Sequence, residues 1–141
     1  MELKVLLAKK LKTQVENGLV DDNLILSMFN NFIAPIKNGF EVDELAGKYK
    51  PSWAYNGPTS KSHETWLREA EANALHHYHV GYVFYRDGRD PEYPGSESDG
   101  LIHTTIQQSN DVQKHIVFRV DSSHPIPFSF SYNPETDFIA E

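Results

Sequence analysis

Histidine is the residue type in this chain that is best suited to chemistry at neutral pH, and the 141 residues include seven of them. Three fall within residues 75–79, at His76, His77 and His79. In a β-strand, successive side chains point to opposite faces, so His77 and His79 would lie side by side and His76 on the other face. Because the unperturbed pKa of imidazole is near neutrality, such a pair can hold a base and an acid together.

The same two histidines allow other interpretations. Imidazoles at positions i and i+2 of a strand can share a metal ion, with a third ligand from His103, His115 or Asp99. They could also be half-exposed residues at a sheet edge without a chemical role. The chain contains no cysteine, which excludes thiolate ligands and disulfides. We favour acid–base chemistry and therefore predict neither a metal site nor a cofactor.

Cleavage of RNA without a metal is a reaction that these residue types could perform. It needs a base at the 2′-hydroxyl, an acid at the leaving 5′-oxygen and a cation for the phosphorane charge. His79, His103 and Arg119 would lie on three neighbouring strands and could fill these roles. His77 belongs to the same predicted catalytic set, because it shares a strand face with His79.

Aromatic and basic residues near this strand are candidates for binding the RNA. Tyr82 and Tyr85 could stack an unpaired base. Arg86 and Arg89 could meet phosphate, although a solvated hairpin loop is the favoured explanation for this charged stretch. His124 completes the predicted substrate-binding set, with a plain turn residue before Pro125 as its alternative.

Two helices are predicted at the N-terminus. Residues 2–16 carry apolar side chains at helical spacing, and Asn17-Gly18 has the form of a C-terminal cap. A second helix over residues 22–36 would begin at Asp21-Asp22 and end at Pro35 and Asn38-Gly39. Two weaker patterns suggest a helical turn within residues 40–46 and a short helix over residues 62–70.

The pattern of apolar residues changes to a period of two after residue 74. Strands are predicted over residues 75–85, 101–107 and 114–121, with a turn at Asn110-Asp111 and a proline-interrupted edge strand through Phe128. The predicted faces are Tyr78, Val80, Tyr82 and Phe84 opposite His77, His79, Gly81, Val83 and Tyr85, and Ile116, Phe118 and Val120 opposite His115, Val117 and Arg119. The expected fold class is α+β, with two N-terminal helices packed on a small, mainly antiparallel sheet of three to five strands.

Composition is consistent with one domain over residues 1–141, since 39% of the residues are hydrophobic and 23% are charged. It would comprise a helical part (1–39), a loop-rich part (40–73), a sheet (74–132) and a tail (133–141). No apolar run approaches the ~18 residues of a membrane helix, so we expect a cytoplasmic protein without membrane contact. The net charge of -7 argues against a broad basic surface for nucleic acid.

Three stretches together resemble a known family. They are Ala74-Leu75-His76-His77-Tyr78-His79-Val80, then Ser98-Asp99-Gly100-Leu101-Ile102-His103, and then His115-Ile116-Val117-Phe118-Arg119-Val120 before Ser123-His124-Pro125. This combination resembles the YafO family of ribosome-dependent mRNA interferases, within the RelE-like toxin superfamily. The resemblance implies a RelE-like fold, cleavage of mRNA on the ribosome and neutralisation by a cognate antitoxin.

Two other functions compete with an RNA-cleaving toxin. The acidic charge favours a non-enzymatic binding module, such as an immunity protein or antitoxin that masks a basic nuclease by electrostatic complementarity. The histidines also permit a metal-dependent hydrolase. The density of histidine, tyrosine and arginine on adjacent predicted strands favours the toxin, because a binding module does not require it.

Overall fold

The computed structural model describes residues 1–82, 85, 88, 92–93, 95–125 and 128–140. These residues form an α+β fold around a five-stranded, mainly antiparallel sheet, which confirms the predicted α+β class and the mainly antiparallel sheet. The strands are β1 (Glu2–Leu7), β2 (Tyr49–Pro51), β3 (Leu75–His79), β4 (Leu101–Ser109) and β5 (Val112–Asp121), in the spatial order β1-β5-β4-β3-β2. β1 runs parallel to β5, and the other neighbours are antiparallel.

The prediction of a helix over residues 2–16 is wrong for its first half. The chain begins with β1, and helix α1 (Lys9–Glu16) follows. The leucines at positions 3, 6 and 7 fit helical spacing, but residues 2–7 pair with β5 from Glu2↔Val112 to Leu7↔Val117. This pairing with a distant strand overrides the local pattern, and a strand therefore precedes the first helix. The predicted end of α1 is confirmed, with Asn17 as C-cap and Gly18 at φ +71°.

The second predicted helix is a helical run over residues 22–37. It consists of α2 (Asp22–Met28), one π-helical turn (Phe29–Ile33) and α3 (Ala34–Lys37). The predicted N-terminal cap is confirmed, because the Asp21 carboxylate accepts hydrogen bonds from the backbone N–H groups of Asn23 (2.8 Å) and Leu24 (3.2 Å).

The prediction that Pro35 helps to end this run is wrong, because Pro35 lies inside α3. Proline has no N–H, so the carbonyl four residues before it loses its helical partner. That carbonyl belongs to Asn31, and it accepts a hydrogen bond from the Tyr78 hydroxyl at 2.8 Å. The Asn31 side chain donates to the Val80 carbonyl at 2.7 Å. The proline thereby leaves a backbone acceptor that ties the helices to β3.

The weaker helix predictions are confirmed. A 3₁₀ turn covers Val42–Glu44, and helix α4 covers Lys61–Ala72 with Ser60 as its N-cap. A short helix α5 (Pro134–Asp137) lies in the predicted tail. Across the described residues, no helix has both the length and the apolar character for crossing a bilayer.

Both faces of the sheet are covered. On one face, Tyr78 and Val80 are fully buried, and the Phe32 ring lies 4.9 Å from that of Tyr78. On the other face, Phe128 and Phe130 lie across the histidines. The carbonyl of Phe130 accepts a hydrogen bond from the Trp66 indole of α4 at 2.8 Å. Phe128 and Phe130, predicted on an edge strand, instead lie outside the strands and cover this second face of the sheet. Ile126, part of the same prediction, lies outside the described residues.

Two strands depart from the predicted alternation. β3 ends at His79, and Gly81 adopts φ +75°, whereas Val83 and Phe84 lie outside the described residues. The pairing of β4 with β5 changes register from His103↔Arg119 to Thr104↔Val117. The skipped residue, Phe118, forms a β-bulge in β5. Since paired residues share a sheet face, the bulge turns Arg119 to the face of His103 and away from that of Val117. The predicted grouping of Arg119 with His115 and Val117 is wrong for this reason.

Candidate functional site

Four histidines meet on the sheet face beneath the C-terminal segment. His77 and His79 come from β3, His103 is the cross-strand partner of His77 on β4, and His124 follows β5. The ring centroid of His77 lies 5.7 Å from that of His79, 6.3 Å from that of His103 and 5.8 Å from that of His124. The His79 and His124 rings are 5.4 Å apart. The structure thus gathers three predicted catalytic residues with one predicted substrate-binding residue.

Aromatic side chains shield this histidine cluster, defined as His77, His79, His103 and His124. The Phe128 ring stacks on His124 at 4.8 Å and meets the edge of His77 at 4.7 Å. His79 and His103 are each 1% exposed and His77 is 5% exposed, while His124 is half-buried. The cluster is therefore mostly sealed, with His124 as its most accessible member.

Neighbouring polar groups hold three of the rings. The Nδ1 atom of His77 lies 3.1 Å from the Ser52 hydroxyl. The Nδ1 atom of His79 lies 2.7 Å from the Ser98 carbonyl oxygen and 3.0 Å from the Ser98 amide. These two contacts need opposite tautomers, and the shorter one favours Nδ1–H donating to the carbonyl. The Nε2 atom of His103 lies 3.1 Å from the Asp121 carboxylate.

Three ring nitrogens of the cluster are left over. His79 Nε2, His103 Nδ1 and His124 Nδ1 are buried and have no hydrogen-bond partner among the described residues. A buried polar atom without a partner is costly, and in native proteins it usually has a reason, such as a ligand, an ion or a catalytic role. Unpaired nitrogens on adjacent rings make the cluster a candidate binding site.

Burial lowers the pKa of every histidine in the cluster. Desolvation is the main cause for each ring, and it brings the pKa of His79 to about 4. The pKa of His77 falls well below its usual range, helped by the charges of neighbouring imidazoles and of Lys48. Hydrogen bonding to Asp121 partly opposes the decrease in the pKa of His103. The resting cluster is therefore neutral at pH 7, with lone pairs available on its rings.

A cavity of about 120 Å³ opens beside the cluster. Its polar lining comprises Lys48, Lys50, Ser52, Tyr55, His77 and His124. The Lys48 ammonium pairs with Glu97 at 2.6 Å, and the Lys50 ammonium lies 5.4 Å from the centre of the Tyr93 ring. Two imidazoles and two cations thus border one small space.

Arg119 is not one of the described residues that line this cavity. It is the cross-strand neighbour of His103, but its Nε donates to the Asp121 carboxylate at 2.8 Å. Its guanidinium lies over the Phe130 ring, 4.4 Å from the ring centre. The predicted cation for the phosphorane charge is thus not among the residues that line the cavity, where Lys48 and Lys50 are the cations.

The predicted binding residues other than His124 are not gathered at the cavity. The Tyr82 hydroxyl donates to the Asp21 carboxylate at 3.3 Å, next to the start of α2. The Tyr85 hydroxyl donates to the backbone carbonyl of His79 at 3.0 Å. Arg86 and Arg89 lie outside the described residues.

Sequence reasoning missed Lys48, Lys50, Ser52 and Tyr55. Lys48, Lys50 and Ser52 are every second residue along β2 and its two flanking positions. This period of two could have shown that their side chains share one face of a strand. Pro51 obscured it, because β2 has only three residues and a proline suggests a loop. His115, considered as a metal ligand, instead hydrogen-bonds the Tyr49 hydroxyl at 2.8 Å on the opposite face of the sheet.

Comparisons of the chain with models of protein families, with curated proteins and with solved structures give no match.

Proposed function

We propose that this protein is an endoribonuclease that cleaves mRNA without a metal ion, as the toxin of a toxin–antitoxin pair. The observation that carries the proposal is that His77 and His124 line the same cavity as Lys48 and Lys50. These residues supply a base, an acid and cations, the three kinds of group that RNA cleavage requires. Tyr55, at the same cavity, offers an aromatic ring for stacking an unpaired base.

In this proposal His77 is the base. The proposal requires the tautomer in which Nδ1–H of His77 donates to the Ser52 hydroxyl, 3.1 Å away, so that Nε2 takes the proton of the 2′-hydroxyl. The 2′-oxygen then attacks phosphorus, and the bond from phosphorus to the 5′-oxygen breaks. His124 donates a proton to that oxygen, so the products are a 2′,3′-cyclic phosphate and a 5′-hydroxyl. The two ring centroids are 5.8 Å apart and both rings line the cavity, so one phosphate in the cavity could reach both imidazoles.

Lys48 is the proposed partner of the phosphorane. Its side chain is 9% exposed, and a charge in such a place acts through a medium less polarisable than water. Glu97 fixes the ammonium before substrate arrives, so little reorganisation is needed during the reaction. The negative phosphate also favours the protonated form of His124, because an opposite charge nearby raises the pKa of an imidazole.

The acidic charge of the chain favours a substrate that is positioned by a partner over RNA that is free in solution. With a net charge of -7, the protein has little general attraction for free RNA. The cavity has the liquid volume of about four water molecules, enough for the reacting phosphate but not for whole nucleotides. We therefore propose the ribosome as the partner that positions mRNA, together with a RelE-like fold and a cognate antitoxin.

The test is cleavage of mRNA on translating ribosomes by wild type, His77→Gln and His124→Gln. We expect each substitution to slow cleavage by ~10²-fold or more. His76→Gln is the matched control, because His76 adjoins His77 in the chain but faces the other side of the sheet, and it should retain activity. Melting curves separate lost chemistry from lost folding, and His124→Gln, at a half-buried position, is the less disruptive variant. Wild-type rates in both active-site variants would contradict the proposal.

An acidic binding module that masks a basic nuclease is the second candidate. The net charge of -7 favours it, as does an open groove along edge strand β1 that includes Leu3, Ile36 and Phe40. Induced expression in a bacterial host separates the two candidates. A toxin should arrest growth unless His77 or His124 is replaced, whereas a binding module should leave growth unaffected.

A further inference from the structure

We infer that His77, His79 and His124 form a binding site for Zn²⁺, and that the bound ion blocks RNA cleavage. One ring nitrogen from each of the three histidines lies within 4.8 Å of the other two. The binding part follows from the geometry of the cluster alone, while the inhibitory part rests on the proposed function.

The three rings are arranged as metal ligands usually are. In such sites one ring nitrogen of each histidine binds the metal and the other is held by the protein. Here the Ser52 hydroxyl holds Nδ1 of His77, and the Ser98 carbonyl oxygen holds Nδ1 of His79. Both rings therefore have Nε2 available for a metal.

The unpaired nitrogens support the same conclusion. Nε2 of His79 and Nδ1 of His124 are buried without a hydrogen-bond partner among the described residues. A cation bound between the rings would satisfy both atoms at once. His103 also has an unpaired nitrogen but is not part of the three-ligand group, and its other nitrogen is bound to Asp121.

The charges around the cluster permit a cation. The imidazoles lie in a largely desolvated place, with His77 and His79 buried and His124 half-buried, where a bound cation would have little competition from water. The Lys48 ammonium, whose charge acts on all three rings, is paired with the Glu97 carboxylate at 2.6 Å. Asp99 provides a further negative charge that acts on His124. The repulsion from Lys48 is therefore offset locally.

Three imidazoles select the class of ion. Nitrogen ligands suit Zn²⁺, Cu²⁺ and Ni²⁺, whereas Mg²⁺ and Ca²⁺ require oxygen. Zn²⁺ accepts three histidines in tetrahedral geometry with nitrogens roughly 3.3 Å apart, so nitrogens that now lie within 4.8 Å of one another must close by up to about 1.5 Å. His124 can supply this movement, because it lies beyond the end of β5 and is half-buried. The fourth coordination position would be left for water.

Zinc and catalysis would compete for the same atoms. Nε2 of His77 is the nitrogen that takes the proton from the 2′-hydroxyl in the proposed reaction, and a bound Zn²⁺ would occupy its lone pair. The same ion would fix His124, the proposed acid. Zinc bound at these three residues and RNA cleavage therefore exclude each other.

The binding experiment is equilibrium dialysis of the purified, metal-stripped protein against ZnCl₂, with metal analysis. We expect one equivalent of Zn²⁺ in wild type and in His76→Gln. We expect affinity at least ~10²-fold lower in His79→Gln and His124→Gln, since even loss of an outer partner costs 10- to 100-fold. Substitution with Co²⁺ should give the visible absorption bands of a tetrahedral nitrogen site in wild type and in His76→Gln, but not in His79→Gln or His124→Gln.

Absence of stoichiometric Zn²⁺ from wild type, or unchanged affinity in both His79→Gln and His124→Gln, would overturn the site. The second experiment adds one equivalent of Zn²⁺ to the ribosome cleavage assay, followed by EDTA. Inhibition that EDTA reverses supports competition, whereas activation by Zn²⁺ refutes it and indicates a metal-dependent hydrolase. If the protein binds zinc but never cleaves RNA, the proposed function fails and the site stands. If the protein cleaves RNA but binds no zinc, the zinc site is refuted and the proposed function stands.

Discussion

Mild acid should destabilise this protein through a histidine on the sheet face opposite the cluster. The side chain of His115 is 1% exposed, and its Nδ1 lies 2.8 Å from the Tyr49 hydroxyl. Its Nε2 lies 2.8 Å from the Gln113 side-chain oxygen, so the neutral ring has both nitrogens paired. Desolvation is the main reason that the pKa of His115 falls from 6.5 to about 4.

The direction and size of the effect follow from the two pKa values. The unfolded chain protonates His115 near pH 6.5, while the folded chain resists protonation down to about pH 4. The contribution to stability is therefore complete above pH 6.5, declines as the pH falls and is lost by about pH 4. A pKa difference of about 2.5 corresponds to about 3 kcal/mol. Natural domains have only about 5–15 kcal/mol in total, so this loss is easily measured.

The assay is urea unfolding at pH 7, 6 and 5 for wild type, His115→Gln and Thr104→Val. Replacing His115 removes one titrating group, so the pH dependence of the unfolding free energy should weaken by up to about 1.4 kcal/mol per pH unit. Thr104→Val is the matched control, because its hydroxyl lies 2.6 Å from that of Tyr49 but does not titrate. It should lower stability by a similar amount at every pH.

Two results would refute this reasoning. One is an unfolding free energy for wild type that does not change between pH 7 and pH 5. The other is a His115→Gln variant with the same pH dependence as wild type, which would assign the acid sensitivity to other groups. A Thr104→Val variant with a weakened pH dependence would show that the control disturbs the site and would count against the assignment to His115.

Further substitutions probe packing and the site. Gly47→Ala should lower the melting temperature markedly, because a Cβ there would overlap the carbonyl oxygen of His79 and backbone cannot move cheaply. Phe128→Ala should lower the free energy of unfolding in urea by about 3–5 kcal/mol, since it removes an almost fully buried ring. A decrease under 1 kcal/mol would contradict the close packing of this ring on the histidine cluster. Arg119→Ala should leave ribosome-dependent cleavage within a few-fold of wild type, because Asp121 holds the guanidinium away from the cavity; a ~10²-fold loss would restore Arg119 to the catalytic set.

Local signals predicted the local structure of this chain. Asp21 has a short acceptor ahead of an apolar stripe, and it caps α2 as expected. Gly18 ends α1 with a positive φ, and Asn110, at φ +52°, makes the turn between β4 and β5. The period of two from Leu75 onward placed His77 and His79 on one face. Each of these features depends on residues only a few positions apart.

The errors arose where distant residues decide the structure. Leu6 looks helical by spacing, but the parallel partner of β1 lies more than a hundred residues away. The bulge at Phe118 exists only in the pairing of two strands, so no single strand pattern reveals it. His124 meets His79 because the chain folds back over the sheet, and neither sequence position indicates that contact.

The parallel pairing of β1 with β5 also affects the order of folding. Glu2 pairs with Val112, so the ends of this contact are separated by 110 positions. Closing a loop of that length costs about 4 kcal/mol in chain entropy beyond a constant term. On a ribosome, residues 2–7 have no sheet partner until β5 has been synthesised, whereas β4 and β5 can form a hairpin by themselves. We therefore expect β1 to be synthesised well before it can join the sheet and to be among the last strands to do so, and the chain to fold slowly for its size.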